Sequence, residues 1–489
     1  MENKVHDLRS SIELLKTIPG QYHETDVEAD PLFEIAGVYR HVGAGGAVMR
    51  PTKEGPVVVF NKVQGYSGHR VLIGMLASRK RVGYLLGTNP ERLGHLLKDS
   101  VRNPVQPVVV GKEKALCQEV VHKADDPGFD VRKLLPVNMF TASDAGPYIT
   151  MGLCKATDPE TGDSDVTIHR MCVIQDKTDE ITFWSAPGSR HIGAIFDKME
   201  RKGKGLPISI SVGLDPAVYV GACFLPPTTP LGYNELAVAG AIRNAPVELA
   251  QCITIPETAI ANAEYVIEGE ILPNVRTPED RLTGTGVAMP EFPGYDGTAQ
   301  NVCVIKVKAV THRTNPIWQM CIGSSEEHVS MAGITQEASI LEMVEKSMPG
   351  RLLNVYAHSA GGGKYMVVMQ FKKSMPTDEG RQRQAALLAF SSFAELKHIF
   401  IVDDDIDIFD TSDVLWAMNT RFQGDVDIIT IPGVRCHRAD PSAHPDYSSS
   451  IRDIGISCKT VFDCTVPFAL KKDFKRATFT EVELKKFGF

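Results

Sequence analysis

Four stretches of this sequence bring reactive side chains close together. The first is Asp165-Val166-Thr167-Ile168-His169-Arg170-Met171. As a strand it turns Asp165, Thr167 and His169 one way and Val166, Ile168 and Arg170 the other. An arginine on the apolar side of a strand is costly unless paired. It is either half of a structural salt bridge or a clamp that grips a carboxylate through two parallel hydrogen bonds. The second stretch, Ser185-Ala186-Pro187-Gly188-Ser189-Arg190-His191, opens a helix whose apolar face is Ile192, Ile195, Phe196 and Met199. A Gly/Ser turn feeding a helix N-terminus offers free N–H groups to an anion, and Arg190 and His191 add donors; an ordinary capped helix carries the same signature. In the third, Met289-Pro290-Glu291-Phe292-Pro293-Gly294-Tyr295, Glu291 sits between prolines in a stiff apolar turn. A poorly solvated carboxylate suits acid/base work, though it can equally bond loop amides. The fourth, Asp403-Asp404-Asp405-Ile406-Asp407, ends a strand; such carboxylates hold Mg²⁺ or, as preferred here, cap the next turn and helix.

Two histidines stand out by their neighbours. His328 follows Ser324-Ser325-Glu326-Glu327, and His437 follows Pro432-Gly433-Val434-Arg435-Cys436. Both read as polar loops after strand-like runs. HExxH and HxxxH spacings are absent, so spacing alone gives no metal site.

These side chains need elements to hold them. Asp7 caps a first helix with Leu8, Ile12 and Leu15 on one face, ended by Pro19-Gly20. Gly43 to Gly46 lacks GxGxxG spacing and reads as a turn. In the middle third, residues 208–212 and 305–309 alternate as half-buried strands do, among Pro-rich turns. That pattern predicts a β-barrel or sandwich-like module. The last third alternates helix and strand: a helix through Ile340 and Val344, a strand at 365–371, a helix at 384–395, a strand at 399–402, a helix from Thr411 or Ser412 to about 422, and a strand at 428–431. This is βαβ patterning with a parallel or mixed sheet. Residues 471–489 read as a charged surface arm or helix.

Bulk composition bounds the function. The 489 residues carry 52 Lys+Arg against 60 Asp+Glu, a net charge of −8. No dominant basic face for nucleic acid is expected, and no apolar run approaches the ~20 residues of a membrane span. The first nine residues are charged, so no secretory signal is expected. Ten scattered cysteines without a CxxC read as reduced, mostly buried thiols of a cytoplasmic protein.

Taken together, residues 165–170, Arg190-His191, Gly232-Tyr233-Asn234-Glu235, and residues 402–407 with Asp413-Val414-Leu415-Trp416-Ala417 resemble the UbiD family, in order and spacing from about residue 30 to 470. The resemblance is closest to its catechol-acid branch, the protocatechuate and gallate decarboxylases. That narrower match rests on residues 36–41, Asn234-Glu235-Leu236, 288–295, Glu326-Glu327-His328 and 360–364.

The resemblance implies an α/β (mixed α+β) fold: an N-terminal α/β region (1–120), a split β-barrel of flavin-reductase type that binds prenylated FMN (121–320), and a C-terminal α/β oligomerisation domain (321–489). It implies Mn²⁺ bridging the cofactor phosphate on Asp165, His191 and Glu235, with K⁺ nearby. Thr167, Ile168, His169, Arg170, Arg190 and His191 would line the cofactor, and Lys364 would reach its phosphate. Arg170 would orient the substrate carboxylate, Glu291 would supply the proton that replaces CO₂, and His328 and His437 would face the ring. The implied partners are an aromatic acid, CO₂, a prenyl-FMN synthase, and further copies of the chain as a dimer or hexamer.

The sequence departs from the family at two places. A second Glu is usual about five residues before the Glu291 position, where Gly286 stands, so the Glu-Arg-Glu relay reads as incomplete. Val137-Asn138-Met139-Phe140-Thr141 replaces a more polar run. If that segment lines the pocket, an indole or pyrrole acid becomes an alternative substrate. An alternative of another class is a non-catalytic flavin-binding protein.

Overall fold

The computed structural model describes residues 5–46, 54–185 and 190–488. The turn residues 186–189 singled out above lie outside that range.

The first helix, Leu8–Lys16, is closed by a reciprocal cap: Asp7 accepts from the Ser10 amide while the Ser10 hydroxyl accepts from the Asp7 amide. Leu8, Ile12 and Leu15 are buried as the periodicity requires. Next comes a four-stranded sheet in the order Tyr22–Ala29, Val57–Val63, Arg70–Ile73, Ile317–Met320. Its last strand comes from far along the chain and runs parallel to Arg70–Ile73.

The central sheet is antiparallel, in the order Val120–Lys123, Asn301–His312, Tyr265–Pro278, Leu206–Val212, Tyr148–Thr157, Ser164–Cys172, with Glu180–Phe183 also on Asn301–His312. The predicted strands at 208–212 and 305–309 are both present. Residues 208–212, read as half-buried, are buried on both faces. Ile208 and Ile210 pack in one core with Ile192, Ile195 and Phe196 of helix His191–Glu200. On the other face, buried Ser209 bonds the Thr258 carbonyl and buried Ser211 accepts from the Ile260 amide. The serines therefore alternate in chemistry without being exposed. Among the described residues the ladders do not close into a barrel: no ladder pairs Ser164–Cys172 with Glu180–Phe183, although the Cys172 amide donates to the Thr182 hydroxyl and Val173, just past the first strand, bridges Ile181.

The C-terminal sheet is mixed, as βαβ patterning predicts. Its order is Leu352–Ala357, Met366–Phe371, His398–Val402, Ile456–Cys464, Ile428–Arg435, with parallel inner junctions and antiparallel outer ones. Its two helices run Arg381–Ser392 and Thr411–Arg421, the second capped by Asp410. Of the acidic run, Asp407 accepts from the Phe409 amide and so caps the next turn as expected, but Asp403 and Asp405 pair with Arg421 and none of them caps the helix.

Helix Glu326–Ser347 joins the two halves. Met331, Ile334 and Ala338 belong to the core beneath the first helices, and Ile340, Leu341 and Val344 to the C-terminal core. His328 lies in its first turn, not in a loop. Glu326 and Glu327, ahead of it, complement the positive helix N-terminus, a signal the loop reading passed over. All ten cysteines are free thiols and only Cys458 is exposed. No helix among the described residues is long and apolar enough to cross a membrane.

Candidate active site

Strand Ser164–Cys172 is the last strand in the central sheet order and carries the site's first residues. Asp165, buried, accepts at 2.6 Å from the Ile192 amide and so caps helix His191–Glu200 from another element. Arg190, at the cap position itself, makes no side-chain cap. That bond brings His191 beside Asp165. Helix Glu235–Arg243 starts nearby, capped by Asn234, with Glu235 in its first turn. One ligand atom from each of Asp165, His191 and Glu235 lies within 4.8 Å of the other two.

Two helix N-termini thus converge on two buried carboxylates and an imidazole. Burial, and the nearby Asp165, push the Glu235 carboxyl up to about 8, and its Oε2 has no hydrogen-bond partner. A hard divalent cation relieves that arrangement, and the donor set suits Mn²⁺. The same helix ends favour an anion such as phosphate.

Further along the strand, polar atoms are buried without partners: Thr167 Oγ1, His169 Nε2 and Arg170 Nε, with Ser185 Oγ nearby in sequence. His169 Nδ1 lies 3.0 Å from the Trp184 carbonyl, which can only accept, so Nδ1 carries the proton and Nε2 is left as an acceptor. Burial drives this imidazole down to about 3, so it is neutral. Ile168 is partly buried against the neighbouring core, and Arg190 Nη1 donates to the Phe224 carbonyl at 3.0 Å. Orphaned buried polar atoms usually have a ligand or water as partner. Thr167 and His169 share one face of the strand, and their free atoms would suit the polar groups of a bound flavin.

Arg170, on the strand's other face, is paired on both sides. Nη1 bonds Glu291, Nη2 bonds Glu279 at 3.2 Å, and the guanidinium lies over the Trp184 ring. The relay that the sequence left incomplete is complete in space. Glu279 follows the long strand Tyr265–Pro278 and is buried, accepting also from the Tyr148 hydroxyl (3.2 Å) and the Gln300 amide (3.0 Å). It lies twelve residues before Glu291 in sequence. No local spacing signals it; the fold brings it to Arg170.

Glu291 leaves the hairpin Val287–Pro290/Asp296–Thr298 through a turn in which its amide donates to the Tyr295 carbonyl. Gly297 makes room for it, since a Cβ there would stand 2.7 Å from Glu291 Cγ. The 137–141 segment supports the base of this hairpin: Phe140 packs with Tyr148, Cys172, Ala288 and Met289. Asp144 accepts from the Phe140 and Thr141 amides.

Next to Glu291, the buried ring of Phe292 fills an aromatic box. His328 stacks on it at 5.3 Å and 10°, Tyr365 and His437 meet it edge-on at 5.1 and 4.8 Å, and Lys364 Nζ lies 4.8 Å from its centre. Gly362, at φ 61°, permits the approach; a Cβ there would stand 2.6 Å from the ring. The structure thus gathers His328, His437 and Lys364 around one ring. Burial lowers His328 to about 3 and His437 to about 4, so both are neutral near pH 7. The Ala439 amide donates to His437 Nδ1, so His437 carries its proton on Nε2. Lys364 Nζ is 2.9 Å from Glu395 Oε2, and His437 Nε2 is 3.6 Å from Glu395 Oε1. Glu279, Phe292, Tyr365 and Glu395 are the residues that sequence reasoning missed as part of this site.

Comparison with known proteins places this geometry. Three segments match family profiles described as the N-terminal (13–100), Rift-related (108–326) and C-terminal (329–464) domains of 3-octaprenyl-4-hydroxybenzoate carboxy-lyase. The chain belongs to the UbiD family. It is a carboxy-lyase of that family. It is 54% identical over 484 residues to a gallate decarboxylase of Lactiplantibacillus plantarum, covering 99% of this chain and 98% of that one. Its fold matches the apo 3,4-dihydroxybenzoic acid decarboxylase of Enterobacter cloacae with TM-score 0.94 and 57% identity over 99% of each chain. The UbiD-class enzyme HmfF of Pelotomaculum thermopropionicum, solved with FMN, matches with TM-score 0.86 and 32% identity over 99% of this chain and 100% of that one.

Proposed function

We propose that this enzyme removes CO₂ reversibly from a hydroxylated aromatic acid of the protocatechuate or gallate kind, with prenylated FMN as cofactor. The observation that carries the reading is Arg170 held between Glu279 and Glu291 beside a box of His328, Lys364, Tyr365 and His437. The high identity to a gallate decarboxylase and the fold match to a dihydroxybenzoate decarboxylase support the substrate class.

Thr167, Ile168, His169, Arg170, Arg190 and His191 would hold the flavin, with Lys364 within reach of it. Asp165, His191 and Glu235 would hold Mn²⁺ against its phosphate, with K⁺ nearby. When bound, prenylated FMN supplies the electron sink that no side chain can offer to an aryl carbanion. The chain's own residues do the rest. Arg170 gives up one carboxylate partner to grip the substrate's, and its fork fixes the plane of the leaving group. Freed from Arg170, Glu291 would take up a proton from water; once CO₂ has left, it would deliver that proton to the ring carbon and, again a carboxylate, pair with Arg170 once more, while Glu279 keeps Arg170 aimed throughout. Neutral His437 would donate from Nε2 to one ring oxygen and Lys364 to another, which seats the ring. A prenyl-FMN synthase would supply the cofactor, and the chain would work as a homo-oligomer in the cytoplasm.

The test is co-expression with a prenyl-FMN synthase, followed by CO₂ release from a panel of acids with Mn²⁺ and K⁺ present. Turnover of 3,4-dihydroxybenzoate or gallate is expected. Turnover of indole or pyrrole acids alone would replace the substrate class, and flavin binding without turnover or H/D exchange at the ring would remove the enzymatic reading.

A further inference from the structure

Glu395 lies outside every motif above, yet its turn is built with unusual care. It stands between helix Arg381–Ser392 and strand His398–Val402. Three successive carbonyls of that turn are held by side chains. Lys459, 1% exposed, donates from one ammonium to Ala394 (2.7 Å) and to Leu396, and the Cys436 thiol lies 3.3 Å from the Glu395 carbonyl. Burying an ammonium on two backbone carbonyls is expensive, and a surface turn does not need it. Here it fixes the backbone from which one carboxylate reaches two ring-facing donors. Oε2 takes the Lys364 ammonium and Oε1 faces His437 Nε2.

We propose that Glu395 is a positioning residue for ring hydroxyls: its Oε2 holds the Lys364 ammonium beside His437, whose Nε2–H, 3.6 Å from Oε1, stays free to donate, so that the two donors meet neighbouring oxygens on one ring. The inference rests on the reading that the aromatic box takes a hydroxylated ring. It deepens that reading, because a pair of donors templated by one carboxylate selects a 1,2-diol over a single hydroxyl. Asp440 and Arg435 also act on His437, and Arg190 on Glu395, so the variants below change the Glu395 charge and leave those groups in place.

The experiment measures binding of catechol and of phenol to the full-length enzyme by calorimetry, beside the kinetics of 3,4-dihydroxybenzoate and 4-hydroxybenzoate. For Glu395→Gln the expected result is a loss of about tenfold or more in the catechol-over-phenol preference, the size of one charged hydrogen bond. In the kinetics the loss should sit mainly in KM for the dihydroxy acid, with kcat for the monohydroxy acid nearly unchanged. Glu395→Asp keeps the charge but is one methylene shorter, so it should lose the preference partway; it also serves if the Gln variant does not fold. An unchanged preference in either folded variant overturns the proposal, as does an equal loss for catechol and phenol. Should the wild type prefer catechol, lose that preference in Glu395→Gln, and yet decarboxylate none of the acids, the positioning role stands and the proposed reaction falls.

Discussion

Two acid–base triads meet at the Glu291-Phe292 pair, and they are built in opposite order. Glu279–Arg170–Glu291 sets one base between two acids, and Lys364–Glu395–His437 sets one acid between two bases. The first comes from the central sheet and its hairpin, the second from the C-terminal half. The order fits the task. A guanidinium between two carboxylates can exchange one of them for a substrate carboxylate without leaving the charge unpaired. A carboxylate between two donors has nothing to exchange; it fixes where the donors point. The first triad should therefore act on the chemical step and the second on recognition.

The largest effect should break the first triad at its centre. Arg170→Met removes the only base between Glu279 and Glu291 and leaves Glu279, with a side chain 1% exposed, without its charged partner. Activity should fall about 10⁴-fold or more. Unfolding in urea should show a loss of about 3 kcal/mol, as for a broken buried ion pair. Next, Glu291→Gln should lower kcat by ~10²–10⁴ with little change in KM, as loss of a positioned proton donor does. That outcome sharpens the contrast with Glu395→Gln, expected in KM; effects of both variants on the same parameter would dissolve it. Smaller still, Glu279→Gln keeps one oxygen, which can accept from both the Gln300 amide and the Arg170 guanidinium as Oε2 does, so a fall of about tenfold in kcat is expected, the size of one weakened charged hydrogen bond.

The smallest effect tests the support of the second triad. Burial lowers Lys459 from 10.5 to about 8. The folded protein thus releases this proton at lower pH than the unfolded chain, and unfolding takes one up between those values. This site therefore makes stability rise with pH from about 8 to 10.5, by at most about 1.4 kcal/mol per pH unit. Lys459→Met should flatten that slope in a thermal-unfolding series across the window. A slope unchanged from wild type would show that the ammonium is not buried as described.

Legibility in the sequence followed the reach of each interaction. Asp165, His191 and Glu235 could be chosen because the resemblance carried their spacing. Their meeting rests on local devices, two helix N-termini and a cap. Glu279 could not be found by counting back from Glu291, because sheet and hairpin geometry brings it to Arg170. Alternation at 208–212 gave the right element and the wrong burial, since helix His191–Glu200 covers one face and the strand Thr258–Ile260 the other. His328 was read as loop although the acids before it suit a helix start. Glu395 carries no local signal; its meaning lies in Lys459, sixty-four residues later in the chain.

Phe292 gives the aromatic box an unusual resting state. A box for a flat ring has two ways to fail while waiting: its walls close on one another, or water fills it and has to be expelled. A phenyl ring supplied by the chain itself prevents both, much as a blank keeps a mould true between castings. That ring is covalently next to Glu291, so one short stretch of chain carries both the filling of the box and the carboxylate paired with Arg170.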